Sequence, residues 1–242
     1  MPHALHLDVL SGFQLHCSGH TIALPLGAQR LLAYLATQKG PLLRAHVGEV
    51  LWPEADRRRA SANLRSAIWR VRQAGHNVLD ATGNRLSLTS DVVVDFQEAA
   101  LLGRRILDRS APWPDGTANQ EAAMSLSADL LQDWYDDWLV LERDRWNQLR
   151  LHALEALAER LLACGELSQA VDAALAAVWT EPLRESAHRI LIRVHAAEGN
   201  PSEALAQYRR YQQLLHHELS TSPTAQMEEL IQEVVPRLLT RS

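Results

Sequence analysis

The sequence predicts a mainly α fold with a small β component: an α+β front half in winged helix-turn-helix order, then an all-α array of repeated helix pairs. Three observations predict it. Short alternating stretches at the N-terminus lead into three helical segments and a hairpin. The third of those segments, Arg57 to Gln73, carries six arginines and no carboxylate in a chain of formal net charge −5. In the second half, Gly165-Glu166-Leu167-Ser168-Gln169-Ala170 returns as Gly199-Asn200-Pro201-Ser202-Glu203-Ala204, an offset of 34 residues.

A chain of 242 residues, 47% of them hydrophobic, is long enough for two small domains with cores of ordinary size. Charge divides it at about the same place as the pattern does. Residues 1–95 hold ten Lys and Arg against seven Asp and Glu, net +3; residues 96–242 hold fourteen against twenty-two, net −8. We therefore place a winged-helix domain at 1–95 and a helical domain at 96–242, with separate tasks. Two cysteines, Cys17 and Cys164, make neither a disulfide framework nor a metal knuckle, and both are expected to be packing residues in a reducing compartment. No basic leader and no long apolar run is present, so a cytoplasmic protein is expected.

Residues 5–9 and 13–17 alternate apolar and polar around Ser11-Gly12, which predicts two antiparallel strands, with a third at 21–24. His3, His6, His16 and His20 are best read as polar positions on this small sheet, since they form no fixed tetrahedral ligand set and no metal is expected. Ala28 to Lys39 spaces Leu31, Leu32 and Leu35 for a helix that stops at Gly40-Pro41, and Arg44 to Leu51 is a second, closed by Trp52-Pro53. The arginine segment is the third. Residues 78–80 and 86–94 then form a hairpin across the turn Gly83-Asn84. This order is that of a winged helix, whose third helix enters the DNA major groove while the wing reaches along the backbone.

On the third helix Leu64, Ala67, Ile68 and Val71 form one narrow apolar stripe. Ser66, Trp69 and Gln73 point straight away from it. Asn63 and Arg70 fall on one shoulder of the outward face, Arg65 and Arg72 on the other, where cations straddle the phosphate walls of a groove. Arg85 stands just past the wing tip, in place for a phosphate or a narrow minor groove. A solvated arginine face is the alternative reading of the segment alone.

The second half is helical throughout. Segments at 120–131, 133–164, 167–179, 183–197, 202–218 and 225–238 are expected to stack as an antiparallel solenoid of tetratricopeptide period, with Ala170 and Ala204 allowing close helix approach. Pro182 and Pro201 stand at helix starts, where a missing donor costs little. Trp134, Trp138 and Trp146 are expected in the core. Asp133, Asp136 and Asp137 are expected to cap and solubilise a helix start.

Trp52-Pro53, the helix ending Trp69-Arg70-Val71-Arg72, the wing Thr82-Gly83-Asn84-Arg85-Leu86 and the closing Val94-Asp95-Phe96 resemble the DNA-binding half of the Streptomyces antibiotic regulatory protein family, with its OmpR-type winged helix. Asp133-Trp134-Tyr135-Asp136-Asp137-Trp138-Leu139, Glu142-Arg143, Glu181-Pro182-Leu183-Arg184-Glu185 and Ala204-Leu205-Ala206-Gln207-Tyr208 resemble the bacterial transcriptional activator domain that follows it. Together they cover nearly the whole chain. The resemblance implies transcriptional activation from double-stranded DNA sites made of short direct repeats, self-association on DNA, and contact with RNA polymerase or its sigma factor. It implies a short family member without an ATPase domain. By position Arg70 corresponds to a base-reading arginine, Arg65 and Arg72 to phosphate contacts, and Arg85 to the wing contact. The family wing usually has Gly-Tyr-Arg where this chain has Gly83-Asn84-Arg85.

GxGxxG, P-loop, GxSxG and HExxH patterns are absent, so neither an enzyme nor a cofactor is expected. The alternative is a protein-interaction scaffold whose winged helix has turned to binding protein, and a small-molecule pocket in the helical half is a lesser one.

Overall fold

The alternating N-terminal residues do form strands, and they close on a partner 87 residues away. In the computed structural model, which describes residues 5–108 and 116–234, β1 (Leu5–Asp8) pairs antiparallel with β2 (Gln14–Cys17), and β2 with β3 (His20–Thr21). On its other side β1 runs parallel to β7 (Val92–Val94), giving the sheet order β3-β2-β1-β7. Leu5, Leu7, Leu15, Val92 and Val94 face the core. Three helices follow the first three strands: α1 (Leu26–Thr37), α2 (Arg44–Leu51) and α3 (Arg57–Gln73). A second, antiparallel sheet, β4-β6-β5, joins β4 (Leu42–Leu43), β6 (Arg85–Leu88) and β5 (Leu79–Asp80).

The expected strand at 86–94 is corrected here. It breaks at Thr89-Ser90-Asp91, where the Val92 N–H donates to the Thr89 carbonyl (3.2 Å) and the Thr89 hydroxyl to the Asn77 carbonyl (2.6 Å). The first part stays in the wing and the second leaves as β7 for the other sheet. Strand β4 was missed altogether.

Two compact units divide the chain, residues 1–101 with 128–146 and residues 102–127 with 147–242. In the first, the segment after α5 (Gly116–Ser127) returns to β1 as extended backbone: Ser11 N–H donates to Asp129 O (2.6 Å), Leu131 N–H to Val9 O (2.9 Å), and Leu10 bridges Leu130. That return corrects the helices expected at 120–131 and from 133. Leu131 takes a left-handed φ of 46°, and Arg143 donates to the carbonyls of both Leu130 and Leu131. Helix α6 (Asp137–Cys164) therefore starts after Asp133, and Asp136 pairs with Arg30 instead of lying within the helix.

Of the three tryptophans expected in the core, Trp146 is buried, whereas Trp134 and Trp138 are only half-buried. Trp134 stacks on Phe13, Trp138 meets Tyr34 edge-on, and Trp146 meets Phe96 edge-on with centroids 5.4 Å apart. Helix α4 (Asp95–Leu107), unforeseen in the sequence, begins at a carboxylate that accepts from the N–H groups of Val9 and Leu10, 2.9 Å each, and of Phe96, 2.6 Å. Burial outweighs those donors and pushes the Asp95 carboxyl up to about 6. Cys17 is half-buried, but Cys164 is exposed at the end of α6, a correction to its expected packing role. His6 and His16 are cross-strand partners, and His16 pairs with Asp8 at 3.0 Å; His3 lies outside the described residues.

The helical unit repeats as expected. Helices α6, α7 (Leu167–Thr180), α8 (Glu185–Ala197), α9 (Pro201–Leu219) and α10 (Ala225–Val234) follow one another, the last expected to run to residue 238, of which 235–238 lie outside the described residues. Both copies of the 34-residue motif make the same turn. Gly165 N–H donates to Leu162 O and Glu166 N–H to Leu161 O; Gly199 donates to Ala196 O and Asn200 to His195 O. Gly165 and Gly199 sit at φ +80° and +78°, the left-handed conformation that ends a helix at low cost in glycine. Ala170 and Ala204 are wholly buried, which is what lets the paired helices approach.

His188, 3% exposed, fixes the α8–α9 contact. Its Nε2 donates to the Pro182 carbonyl (2.8 Å), its Nδ1 accepts from Gln207 (2.8 Å), and its ring lies 4.2 Å from that of Tyr211. Burial holds its pKa below the ordinary value, against the smaller opposing pulls of the Pro182 carbonyl and Glu185. The unfolded chain takes up a proton near pH ~6.5 where the folded chain resists it, so stability is lost as pH falls through that value. Between pH ~7.5 and ~5.5 the wild-type Tm should fall further than that of His188→Gln. Equal falls would remove His188 as the cause.

Candidate nucleic-acid interface

The candidate surface belongs to the first unit and is built on α3. Asp56 caps the helix by accepting the Arg59 N–H (2.8 Å), and seventeen residues without Gly or Pro carry it to Ala74. Ala60, Leu64, Ala67, Ile68 and Val71 are its buried face, seated on α1 and α2, so the stripe read from the spacing is the one that packs. Asn63, Arg65, Ser66, Trp69, Arg70, Arg72 and Gln73 are all exposed on the remaining surface. Trp69 is 54% exposed.

Its electrostatics change along the helix. At the N-terminal end Arg57 lies 3.4 Å from Glu49 and Arg59 3.7 Å from Asp56, so two of the six arginines are balanced locally. Arg58, Arg65, Arg70 and Arg72 form no ion pair among the described residues. Arg65 donates back one turn to the Ser61 hydroxyl (2.9 Å), and the Arg70 guanidinium lies over the Trp69 ring, 4.8 Å from its centroid. Pointing to solvent without counter-charge, these cations suit a polyanion.

The wing is tied to the start of α2. Thr82 O accepts the Arg85 N–H (3.2 Å) across Gly83-Asn84, with Gly83 at φ +58°, so the turn stands where the sequence placed it. Arg44 N–H donates to Asn84 O and its Nη2 to Ala81 O, 3.0 Å each. Arg85, paired with Leu43 in the sheet, donates Nη1 to Pro41 O (2.9 Å) and keeps an exposed guanidinium. An open groove of about 320 Å³ runs between α2, α3 and the wing turn, lined among others by Arg44, Ser61, Arg65 and Asn84. The site residues named from the sequence thus lie on α3 and beside the wing turn. Sequence reasoning missed Arg44 and Asn84, whose contact spans forty residues, and Arg58, a third exposed cation beside the two that are paired.

Elsewhere the described residues offer little chemistry. No cluster of three His, Cys, Asp or Glu side chains fit for a metal ion occurs among them, and no helix among them is long and apolar enough to cross a membrane. Among the described residues of the helical unit, one open groove of about 380 Å³ has Glu155, Glu159, Arg189 and Arg193 on its walls, and another of about 370 Å³ has exposed Met124 and Trp179.

Residues 92–235 match the family model of the bacterial transcriptional activator domain. The chain belongs to that family. Its fold matches that of EmbR from Mycobacterium tuberculosis, solved in complex with a low-affinity phosphopeptide, with a TM-score of 0.70 and 21% identity. The match covers 97% of this chain and 65% of the EmbR chain, so the chain spans about two thirds of that protein's length. At that identity the likeness concerns the fold. No curated protein matches the chain.

Proposed function

We propose that this protein is a transcriptional activator of the Streptomyces antibiotic regulatory protein type, and that it binds double-stranded DNA sequence-specifically through α3 and the wing, at promoter sites made of short direct repeats. The observation that carries the reading is the outward face of α3, where Arg58, Arg65, Arg70 and Arg72 have no counter-charge among the described residues, on a helix whose other side is seated in the core. Arg65, Arg72 and Arg85 anchor phosphates; Asn63, Ser66, Trp69 and Arg70 face base edges, Arg70 able to pair bidentately with guanine. The helical unit holds protomers side by side on the repeats and contacts RNA polymerase or its sigma factor. Direct repeats and the polymerase contact rest on the family resemblance; the DNA contact rests also on the geometry of α3.

The test is base preference. Arg70→Ala should lose about 1–3 kcal/mol of discrimination at one base position, measured by competition among single-base variants of a bound fragment. A protein weakened equally on every sequence would make Arg70 a phosphate contact. Exposed Trp69 is the one observation that favours the scaffold alternative, because aromatic residues are enriched at protein interfaces.

A further inference from the structure

Arg70 differs from its neighbours in how it is held. Arg57, Arg59 and Arg65 are each engaged at the edge of the guanidinium, by Glu49, Asp56 and Ser61. Arg70 is held by its face. Its Cζ lies over the Trp69 indole at 4.8 Å, inside the roughly 6 Å reach of a cation–π contact. Among the described residues its N–H groups meet no carboxylate and no carbonyl. Stacking therefore restricts the side chain while leaving all of its donors unspent, and those donors lie in the plane that matches O6 and N7 of guanine.

Trp69 complements this arrangement. More than half of its surface is open although it sits beside the arginine best placed to read a base. In a major groove an indole finds one good apolar partner, the C5-methyl of thymine. A guanidinium above an indole presents two working edges at adjacent levels, as consecutive base pairs do at a rise of about 3.4 Å.

We propose that Trp69 and Arg70 act as one unit reading a two-base step, Arg70 taking a guanine and Trp69 the C5-methyl of the pyrimidine beside it. The proposal rests on the DNA reading of α3 and adds the dinucleotide that α3 selects. The methyl is the recognised group, so 5-methylcytosine substitutes for the thymine and unmethylated cytosine does not.

The experiment uses the full chain and the fragment it enriches from random DNA, with binding followed by fluorescence anisotropy. Arg70→Ala identifies the guanine, as the position whose preference disappears. Replacing the adjoining thymine with deoxyuridine, which deletes only the methyl, should weaken wild type about fourfold, the equilibrium equivalent of one buried methyl group. Trp69→Ala, shown by circular dichroism to be folded, should bind the thymine and uracil fragments equally. In wild type a cytosine at that position should gain about the same factor on C5-methylation. Three results would overturn the proposal: wild type indifferent to uracil while still preferring the guanine, a uracil penalty that survives in Trp69→Ala, or a preferred guanine with no thymine beside it. If no fragment is enriched at all, the DNA reading itself fails and the step reading falls with it.

Discussion

Replacing Arg58, Arg65 and Arg72 together with glutamine should flatten the salt dependence of DNA binding by about 0.9 in the log–log slope for each arginine that meets a phosphate. If all three do, wild type should lose about 40-fold more affinity than the variant between about 50 and 200 mM salt. The variant is a fair one. All three side chains are exposed, none forms an ion pair among the described residues, and glutamine keeps a helix propensity close to that of arginine. Among the described residues only the Arg65 contact with Ser61 is lost, and surface changes of that kind stay within about 0.5 kcal/mol of stability. An unchanged slope in a folded variant would mean that the face of α3 does not lie on phosphates. The scaffold alternative predicts that outcome, because an interface centred on Trp69 is held chiefly by apolar burial.

Trp146→Ala should destabilise the protein by about 3–5 kcal/mol, the largest effect expected of any single change described. Trp146 is 1% exposed, donates its indole N–H to the Ala128 carbonyl at 2.9 Å, and meets Phe96 edge-on. Truncation removes the ring contact, the hydrogen bond and most of the packing at once, in the same unit that carries α3. Denaturant unfolding measures the cost, and Trp146→Phe should fall between the two proteins. DNA binding should decline with the folded fraction and regain wild-type affinity per folded molecule. Trp69→Ala is the contrast: exposed, it should leave stability within about 0.5 kcal/mol. A Trp146→Ala protein as stable as wild type would contradict the packing described for this unit.

These two tryptophans show what was readable from the chain alone. Trp69 stands opposite Leu64, Ala67, Ile68 and Val71, and a helical period suffices to place it outside, because one helix carries the whole pattern. The 34-residue repeat was legible for the same reason: each copy contains its own glycine turn and buried alanine, and the two turns have the same hydrogen bonds. Trp146 was readable as core, but not the partner it packs on. Contacts between residues far apart escaped. β7 leaves the wing to join β1, β4 has two residues and only β6 to define it, and residues 129–131 pair with the end of β1; none of these carries a period of its own. Arg44 escaped likewise, since its role comes from carbonyls at Ala81 and Asn84 that the fold brings to it.

Whether the arginine face of α3 reads DNA is decided by selecting bound fragments from random and genomic DNA at near-physiological salt, with wild type and Arg70→Ala side by side. An enriched short direct repeat is expected, with its copies spaced near one helical turn, and loss of preference at a single base of each copy in the variant. A folded wild-type protein that enriches no sequence, and is retained no better at low salt, would contradict DNA reading by α3.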